Sequence, residues 1–261
     1  MMFSFDCQRE AIGQLQELAA AKSHSILLCG QHGCGKTYLA KYYADLLSIS
    51  DFQVVLSTVG DLQSMMDTTY ALNTPVVICV ENLDDGVAGA AYTLLKFLEE
   101  PCDLVYVVVT CTNIRQIPET IASRCAVVNV NEPRSSDILI FANSIDDSAA
   151  SHIQKTPLWS CIRSFSDVNQ ILKLTPDQLT YFASLPEIFD TRKPISQLMW
   201  DLGHYPDNSP APIELVMRYL LAINHKLDIR EIILSCLIDL DNANIAKHVV
   251  LASMCMQIKY R

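Results

Sequence analysis

Apolar positions along this chain follow two rhythms. In the first half, short strand-like runs rich in apolar residues at 25–29, 53–57, 76–80, 104–110 and 126–130 alternate with stretches of helical pattern at 6–21, 36–48, 59–71, 86–99 and 118–122. Runs of this length predict strands, and the periodic stretches predict amphipathic helices. Their regular exchange is the βαβ rhythm of a parallel sheet covered by helices on both sides, an α/β architecture. From about Arg134 to Leu174 the pattern is short, polar and helical, broken at Pro157. Beyond Thr175 no strand rhythm remains. Helices are predicted near 177–184, 194–203, 212–226, 228–239 and 242–258, punctuated by Pro186, Pro194, Pro206, Pro210 and Pro212. The division expected is therefore 1–133, a sheet-containing domain; 134–174, a small helical segment; and 175–261, a helical bundle.

Half of the 261 residues are apolar, enough for a substantial core. The longest apolar stretch, around Leu104 to Val109, suits a buried strand and is far too short to span a bilayer. The first residues, Met1 to Cys7, carry neither a basic flank nor a long apolar region, which predicts no export signal. Ten cysteines at 7, 29, 34, 79, 102, 111, 125, 161, 236 and 255 form no C-x-x-C pair and predict buried free thiols in a reducing cytoplasm. A formal charge of −10 excludes a surface that is basic all over. Contact with nucleic acid would need a local basic stripe or partners that supply the positive charge.

Candidate chemistry begins where the first apolar run ends. Residues 30–37 read Gly-Gln-His-Gly-Cys-Gly-Lys-Thr, a complete G-x-x-x-x-G-K-T loop between a predicted strand and a predicted helix. Glycines let successive backbone N–H groups turn inward toward phosphate oxygens, a lysine reaches the β and γ phosphates, and a threonine hydroxyl serves Mg²⁺. Gly30, Gly33, Cys34, Gly35, Lys36 and Thr37 are accordingly the expected ATP/ADP site. Such a loop needs an acidic residue at the end of a neighbouring strand, and Val76-Val-Ile-Cys-Val-Glu-Asn-Leu-Asp84 supplies Glu81 for the Mg²⁺ shell beside Thr37.

Two further motifs carry a family resemblance. Tyr92-Thr-Leu-Leu-Lys-Phe-Leu-Glu-Glu-Pro101, a strand, and then Thr110 to Cys125 with Ile117-Pro-Glu-Thr-Ile-Ala-Ser-Arg-Cys resemble the clamp-loader branch of the AAA+ ATPases, which includes bacterial gamma/tau and delta-prime subunits and small subunits of replication factor C. The likeness is strong over about 5–133, weak over 134–174, and only helical in character beyond. It implies an AAA+ P-loop domain, a helical lid and a collar-like bundle that holds subunits in a ring. It also implies that Thr112 is the sensor-1 residue near the γ phosphate and that Arg124 points into a neighbouring subunit's nucleotide. A guanidinium fork suits developing charge on phosphoryl oxygens. Arg163 resembles the family's sensor-2 arginine, although the glycine and acidic residue of that motif are missing, and a plain arginine on a helix surface stays open.

Departures from the family pattern shape the functional expectation. Ungapped alignment from Lys96 puts Glu81 at the Mg²⁺-site aspartate and Asn82 at the catalytic glutamate. An amide cannot take a proton from the attacking water, so tight ATP binding with slow hydrolysis is expected. The other register, with Glu81 as base, leaves Val80 at the Mg²⁺ position. The cysteine cluster that binds zinc in many bacterial members is absent, so no metal but Mg²⁺ is expected. Gln63 stands where many members have an arginine that can face DNA. Trp159, Trp200, Met254, Cys255 and Met256 are expected in the core, and the six histidines show no ligand spacing.

The resemblance thus implies a cytoplasmic subunit of a DNA polymerase III type clamp loader. Its partners would be other loader subunits, the sliding clamp and, through the assembly, primer-template DNA, with no membrane. A self-sufficient AAA+ motor or helicase loader hydrolysing ATP at its own site is the alternative.

Overall fold

The computed structural model describes residues 5–69, 73–85, 88–99, 103–189, 192–205, 207, 210–240 and 246–260. The chain divides into two compact units, residues 1–141 with 163–167, and residues 142–162 with 168–261.

In the first unit β1 (Ser25–Cys29), β2 (Asp51–Leu56), β3 (Val76–Glu81), β4 (Val105–Cys111) and β5 (Ala126–Asn129) form a parallel sheet in the order β2-β3-β4-β1-β5. The helices α1 (Arg9–Ala20), α2 (Lys36–Leu46), α3 (Val59–Thr69), α4 (Ala88–Glu99) and α5 (Glu119–Ala122) connect them. Residues alternate between the two faces of a strand, so each face gathers its own core. Leu27, Ile78, Val107, Val109 and Cys111 pack with Leu62 of α3, Leu94 of α4 and Ile121 of α5. Ile26, Leu28, Val77, Cys79 and Val108 pack with Leu15 of α1 and Leu39 and Tyr43 of α2. Both faces being covered, every residue of β4 is buried, which is why its sequence is almost wholly apolar, with Thr110 the polar residue near its end.

All strands being parallel, their carboxyl ends share one edge of the sheet. The two-sided sheet is the expected α/β class, with strand limits within two residues of expectation. The largest difference is at β2, which starts at Asp51 because the ladder to β3 already pairs Asp51 with Val76. Hydrogen bonding extends this strand past its apolar stretch.

After the sheet come α6 (Ser135–Ile145), α7 (Ala149–Lys155) and α8 (Phe165–Leu172). The expected polar character of this stretch is corrected. Ile138, Ala142, Ile153, Leu158, Val168 and Ile171 are buried, and so are the polar Asp137 and Asp167, whose carboxylates accept from backbone N–H groups at the starts of α6 and α8.

The second unit continues with α9 (Pro176–Ile188), α10 (Ile195–Gly203), α11 (Ile213–Ile223), α12 (Leu227–Leu240) and α13 (Lys247–Lys259). A reciprocal cap starts α9, with Thr175 Oγ1 accepting from Gln178 N–H and the Gln178 side chain accepting from Thr175 N–H. Phe182, Leu185, Leu202, Val216, Leu220, Ile233, Met254 and Cys255 are fully or almost fully buried. Tyr181 joins two helices by placing its hydroxyl 3.0 Å from the carbonyls of both Asp201 and Leu202.

Three expectations fail in this unit. Pro186 lies inside α9, in its last turn, where a missing N–H costs one hydrogen bond and leaves the rest of the helix intact. Trp200 is 53% exposed and stacks on His204 with ring centres 4.0 Å apart, and Met256 is 47% exposed. Each sits on the solvent side of a helix whose buried stripe is filled by other residues, Leu198 and Leu202 in α10 and Met254 and Cys255 in α13. Residues 86, 87, 100–102, 206 and 241–245, where several predicted features fall, lie outside the described residues.

Candidate phosphate-loop site

After β1 the chain turns through residues 30–35 into α2, which begins at Lys36. Gly33 and Gly35 have φ of +72° and +97°, a region closed to most side chains, and a Cβ on Gly35 would lie 2.5 Å from Gln8 Nε2. Both neighbours of the loop also hold its backbone. Gln8 Nε2 donates to Cys34 O at 2.8 Å, and the Phe165 N–H donates to Gly33 O at 3.0 Å. Gln8 is fully buried, and its Oε1 has no hydrogen-bond partner.

The amino end of α2 offers unpaired N–H groups and the positive end of the helix dipole. Lys36 adds an ammonium that donates to Gly30 O at 2.6 Å and Gln31 O at 3.1 Å. Burial pushes the Cys34 thiol above its ordinary value despite nearby Lys36, so it is a packed thiol and a poor nucleophile.

Thr37, one residue into α2, donates its hydroxyl to Glu81 Oε1 at 2.5 Å across from the end of β3. A hydroxyl and a carboxylate are the hard oxygen ligands that suit Mg²⁺. Among the described residues no group of three or more His, Cys, Asp or Glu gathers to hold a metal. The donor set therefore fits a cation that completes its shell with water and phosphate oxygens, as Mg²⁺ does.

Beside this pair the ends of β3 and β4 are tied together. Asn82 takes φ of +50°, its N–H donates to Thr110 Oγ1 at 3.0 Å, and its carbonyl accepts from Ser57 Oγ at 3.0 Å. Asparagine is among the few residues that tolerate this left-handed geometry. Two residues on, Asp84 Oδ2 accepts from the Thr112 N–H at 2.7 Å, the Asn113 N–H at 2.8 Å and the Thr112 hydroxyl. Burial raises the Asp84 pKa, but these donors outweigh it and hold the carboxyl below its ordinary 3.8. Its Oδ1 is buried with no partner.

The two arginines stand apart from the loop's own contacts. Arg124 Nη2 pairs with Glu99 Oε1 at 3.0 Å and Nη1 donates to Thr120 O at 2.8 Å, with side chains 38% and 48% exposed for Arg124 and Glu99. Arg163 is exposed, and it precedes α8 rather than riding on a helix, which corrects the helix-surface alternative. Its N–H donates to Asp167 Oδ2 at 2.8 Å, so it belongs to the turn that starts α8.

The fold brings the loop and Thr37, after β1, and Glu81, at the end of β3, to one edge of the sheet with β4 between them, so the carboxylate lies two strands from the loop and not on the neighbouring strand expected from the sequence; Asn82 and Thr112 share that edge. Sequence reading assigned no role to Gln8, Asp84 or Glu99. Asp84 was visible as a second carboxylate closing the strand-end run. Gln8 could have been noticed as a polar residue in the opening turn of the first predicted helix.

Comparison with known proteins bears on the fold. The family model of the DNA polymerase III delta subunit matches residues 50–134, and that of magnesium chelatase subunit ChlI matches residues 5–74. A DNA polymerase III gamma subunit-related protein of Thermotoga maritima superposes with a TM-score of 0.59 at 14% identity, covering 96% of this chain and 99% of that one. The RuvB Holliday junction branch migration motor of the same organism gives 0.50 at 15% identity, covering 94% and 80%. A search of curated proteins gives no match. At such identities the structural likeness speaks for the fold, and the delta-subunit match adds the segment holding Glu81, Thr112 and Arg124. The chain has the AAA+ fold of these structures, and over residues 50–134 it is similar to the DNA polymerase III delta subunit.

Proposed function

We propose that this protein is an ATP-binding subunit of a sliding-clamp loader, working in the cytoplasm during DNA replication and presenting Arg124 to the nucleotide of a neighbouring subunit. The observation that carries the reading is the Thr37–Glu81 pair at the mouth of a loop whose Lys36 is held over the carbonyls of Gly30 and Gln31. On binding ATP, Lys36 exchanges those carbonyls for β and γ phosphate oxygens, while the amides of Gly33, Cys34 and Gly35 receive the phosphates at the start of α2. Thr37 and Glu81 would hold Mg²⁺, which would supply positive charge against the phosphate oxygens.

Arg163 stands beside the residues that cross the loop at Gly33, which suits a sensor-2 part. Arg124 is partly exposed and paired only at the surface, so a phosphate of another subunit can compete with Glu99 for it. Asn82 in place of a carboxylate supports slow turnover at this chain's own site. The three-part division into P-loop domain 1–133, lid 134–174 and collar-like 175–261 belongs to this reading, as do the partners: other loader subunits, a clamp and primer-template DNA. No helix among the described residues is long and apolar enough to cross a membrane. The intact Thr37–Glu81 pair also favours a second reading, a motor that hydrolyses ATP at its own site.

Calorimetric titration of ATP with Mg²⁺, followed by ATPase assays with and without partner subunits and DNA, separates the readings. Lys36→Ala should weaken ATP binding about ten- to a hundredfold, the loss of a charge-assisted contact. Arg124→Ala should leave this chain's affinity unchanged and lower hydrolysis only in the assembly. Equal affinity in wild type and Lys36→Ala would sink the site, and brisk turnover by the chain alone would favour the motor.

A further inference from the structure

Cys29 and Cys111 end the neighbouring strands β1 and β4 and are register partners in the parallel ladder. Their side chains leave the sheet on the same face, where Cys29 packs against the core cluster that contains Cys111. The two thiols share a hydrogen bond, and both are free. Neighbouring strands lie about 4.7–4.9 Å apart, inside the Cα separation of about 4.4–6.8 Å that a disulfide spans. Two thiols directly opposite each other are thus within reach of a covalent bond.

The pair is also joined to the phosphate loop. Gly30, the first loop residue, follows Cys29 directly, and its N–H donates to Cys111 O at 3.1 Å. A Cβ on Gly30 would lie 2.5 Å from Val130 O and 3.0 Å from Cys34 Sγ, so the backbone is closely packed where it enters the loop. Side chains standing at the strand spacing hold their Cβ atoms farther apart than the roughly 3.5–4.5 Å of a disulfide. Bonding the sulfurs therefore draws the ends of β1 and β4 together and takes the Cys29 thiol from Thr112 O, to which it donates at 3.8 Å. We propose that Cys29 and Cys111 are an oxidation site that closes to a disulfide under a hydroperoxide and lowers the affinity of the loop for ATP.

The two sulfurs take different parts. Cys111 is fully buried, and burial raises its pKa above the ordinary thiol value, with Cys29 beside it adding to the rise, so it stays protonated. Cys29 is partly exposed at the edge of the sheet and is the sulfur that hydrogen peroxide reaches first. Its thiolate attacks one peroxide oxygen, the O–O bond breaks, and Cys29 becomes a sulfenic acid while hydroxide leaves and takes up the proton lost by the thiol. The Cys111 sulfur then bonds to the sulfenic sulfur, the S–O bond breaks, and the hydroxyl leaves with the Cys111 proton as water. Two thiols lose two electrons and two protons, and one peroxide is reduced to two waters. In a reducing cytoplasm such a bond is transient. Its effect on ATP rests on the nucleotide reading of the loop, whereas the bond itself does not.

The test treats the reduced full-length protein with hydrogen peroxide, blocks the remaining thiols and maps the linked peptides by mass spectrometry, with calorimetric titration of ATP and Mg²⁺ before and after. A Cys29–Cys111 disulfide that dithiothreitol reverses is expected, with ATP bound about five- to a hundredfold more weakly by the oxidised form. Coupling is reciprocal, so in a glutathione redox buffer saturating ATP with Mg²⁺ should raise the ratio of dithiol to disulfide by the same factor. Cys29→Ser and Cys111→Ala should each bind ATP as the reduced wild type does and keep that affinity through peroxide treatment. Mapping of the wild type decides the bond even where a variant fails to fold. Peroxide that leaves both thiols free, stops Cys29 at a sulfenic or sulfinic acid, or links other cysteines would overturn the oxidation site. A mapped disulfide with unchanged ATP affinity would overturn its control of the loop. Absence of ATP binding by the reduced protein would overturn the nucleotide reading and that control together, while the peptide map decides the oxidation site separately.

Discussion

Two threonine–carboxylate pairs lie at the same edge of the sheet, and they are built to opposite ends. Thr37 donates to Glu81 Oε1, and the pair stands at the start of α2, next to Lys36 in a loop that closes on itself. Thr112 donates to Asp84, but there the same oxygen also holds two backbone amides, and the carboxyl is kept below its ordinary pKa. The first arrangement leaves carboxylate lone pairs for a cation. The second spends one carboxylate oxygen entirely on the protein and so fixes the backbone after β4. The contrast shows that a carboxylate's partners, more than its position at a strand end, decide whether it braces the fold.

Stability measurements should separate the pairs most strongly. Asp84→Ala leaves two amides and a hydroxyl without their shared acceptor and should cost about 2–3 kcal/mol in urea denaturation. Glu81→Gln should cost under about 1 kcal/mol, since an amide oxygen can still accept from Thr37, while Mg²⁺-dependent ATP affinity falls. Equal destabilisation by both changes would break the comparison.

Acid should sharpen it. The folded Asp84 pKa is depressed from 3.8, so its contribution is present above that value and is lost as pH falls through the folded pKa. The stability gap between wild type and Asp84→Asn, read by urea denaturation from pH 7 down to about pH 3, should hold above about pH 5 and narrow toward the acid end. A gap that widens on acidification would show that Asp84 is not held in its charged form.

The smallest effect is expected at the third carboxylate of the region, Glu99. Its pair with Arg124 is more than one-third exposed on both sides, so Glu99→Ala should change stability by under about 1 kcal/mol, and less at high salt. A loss as large as that of Asp84→Ala would make the Arg124 pair structural and weaken its proposed part in a neighbouring site.

Much of the first unit was legible because its signals are local. Five apolar runs became five strands, and glycines with a lysine and threonine between a strand and a helix became the loop. The second unit was legible as helices but less so in its burial. Periodicity names the apolar residues of a helix without saying which of them meet a neighbour, hence the exposed Trp200 and Met256. Pro186 misled because a proline removes one backbone donor without fixing where the helix ends, and here α9 runs two residues past it to Ile188.

By itself, the sequence determined the α/β order of the first unit and the place of the glycine-rich loop between β1 and α2, since these follow from residue period and from glycine's backbone freedom. Only the tertiary structure decided which carboxylate each hydroxyl faces. Thr37 and Glu81 are 44 residues apart, and Asp84 and Thr112 are 28 apart, so neither pairing is written in local spacing. Parallel strands bring all four to one edge, where Asp84 Oδ2 meets the residues that follow β4 and Glu81 Oε1 meets Thr37 at the start of α2.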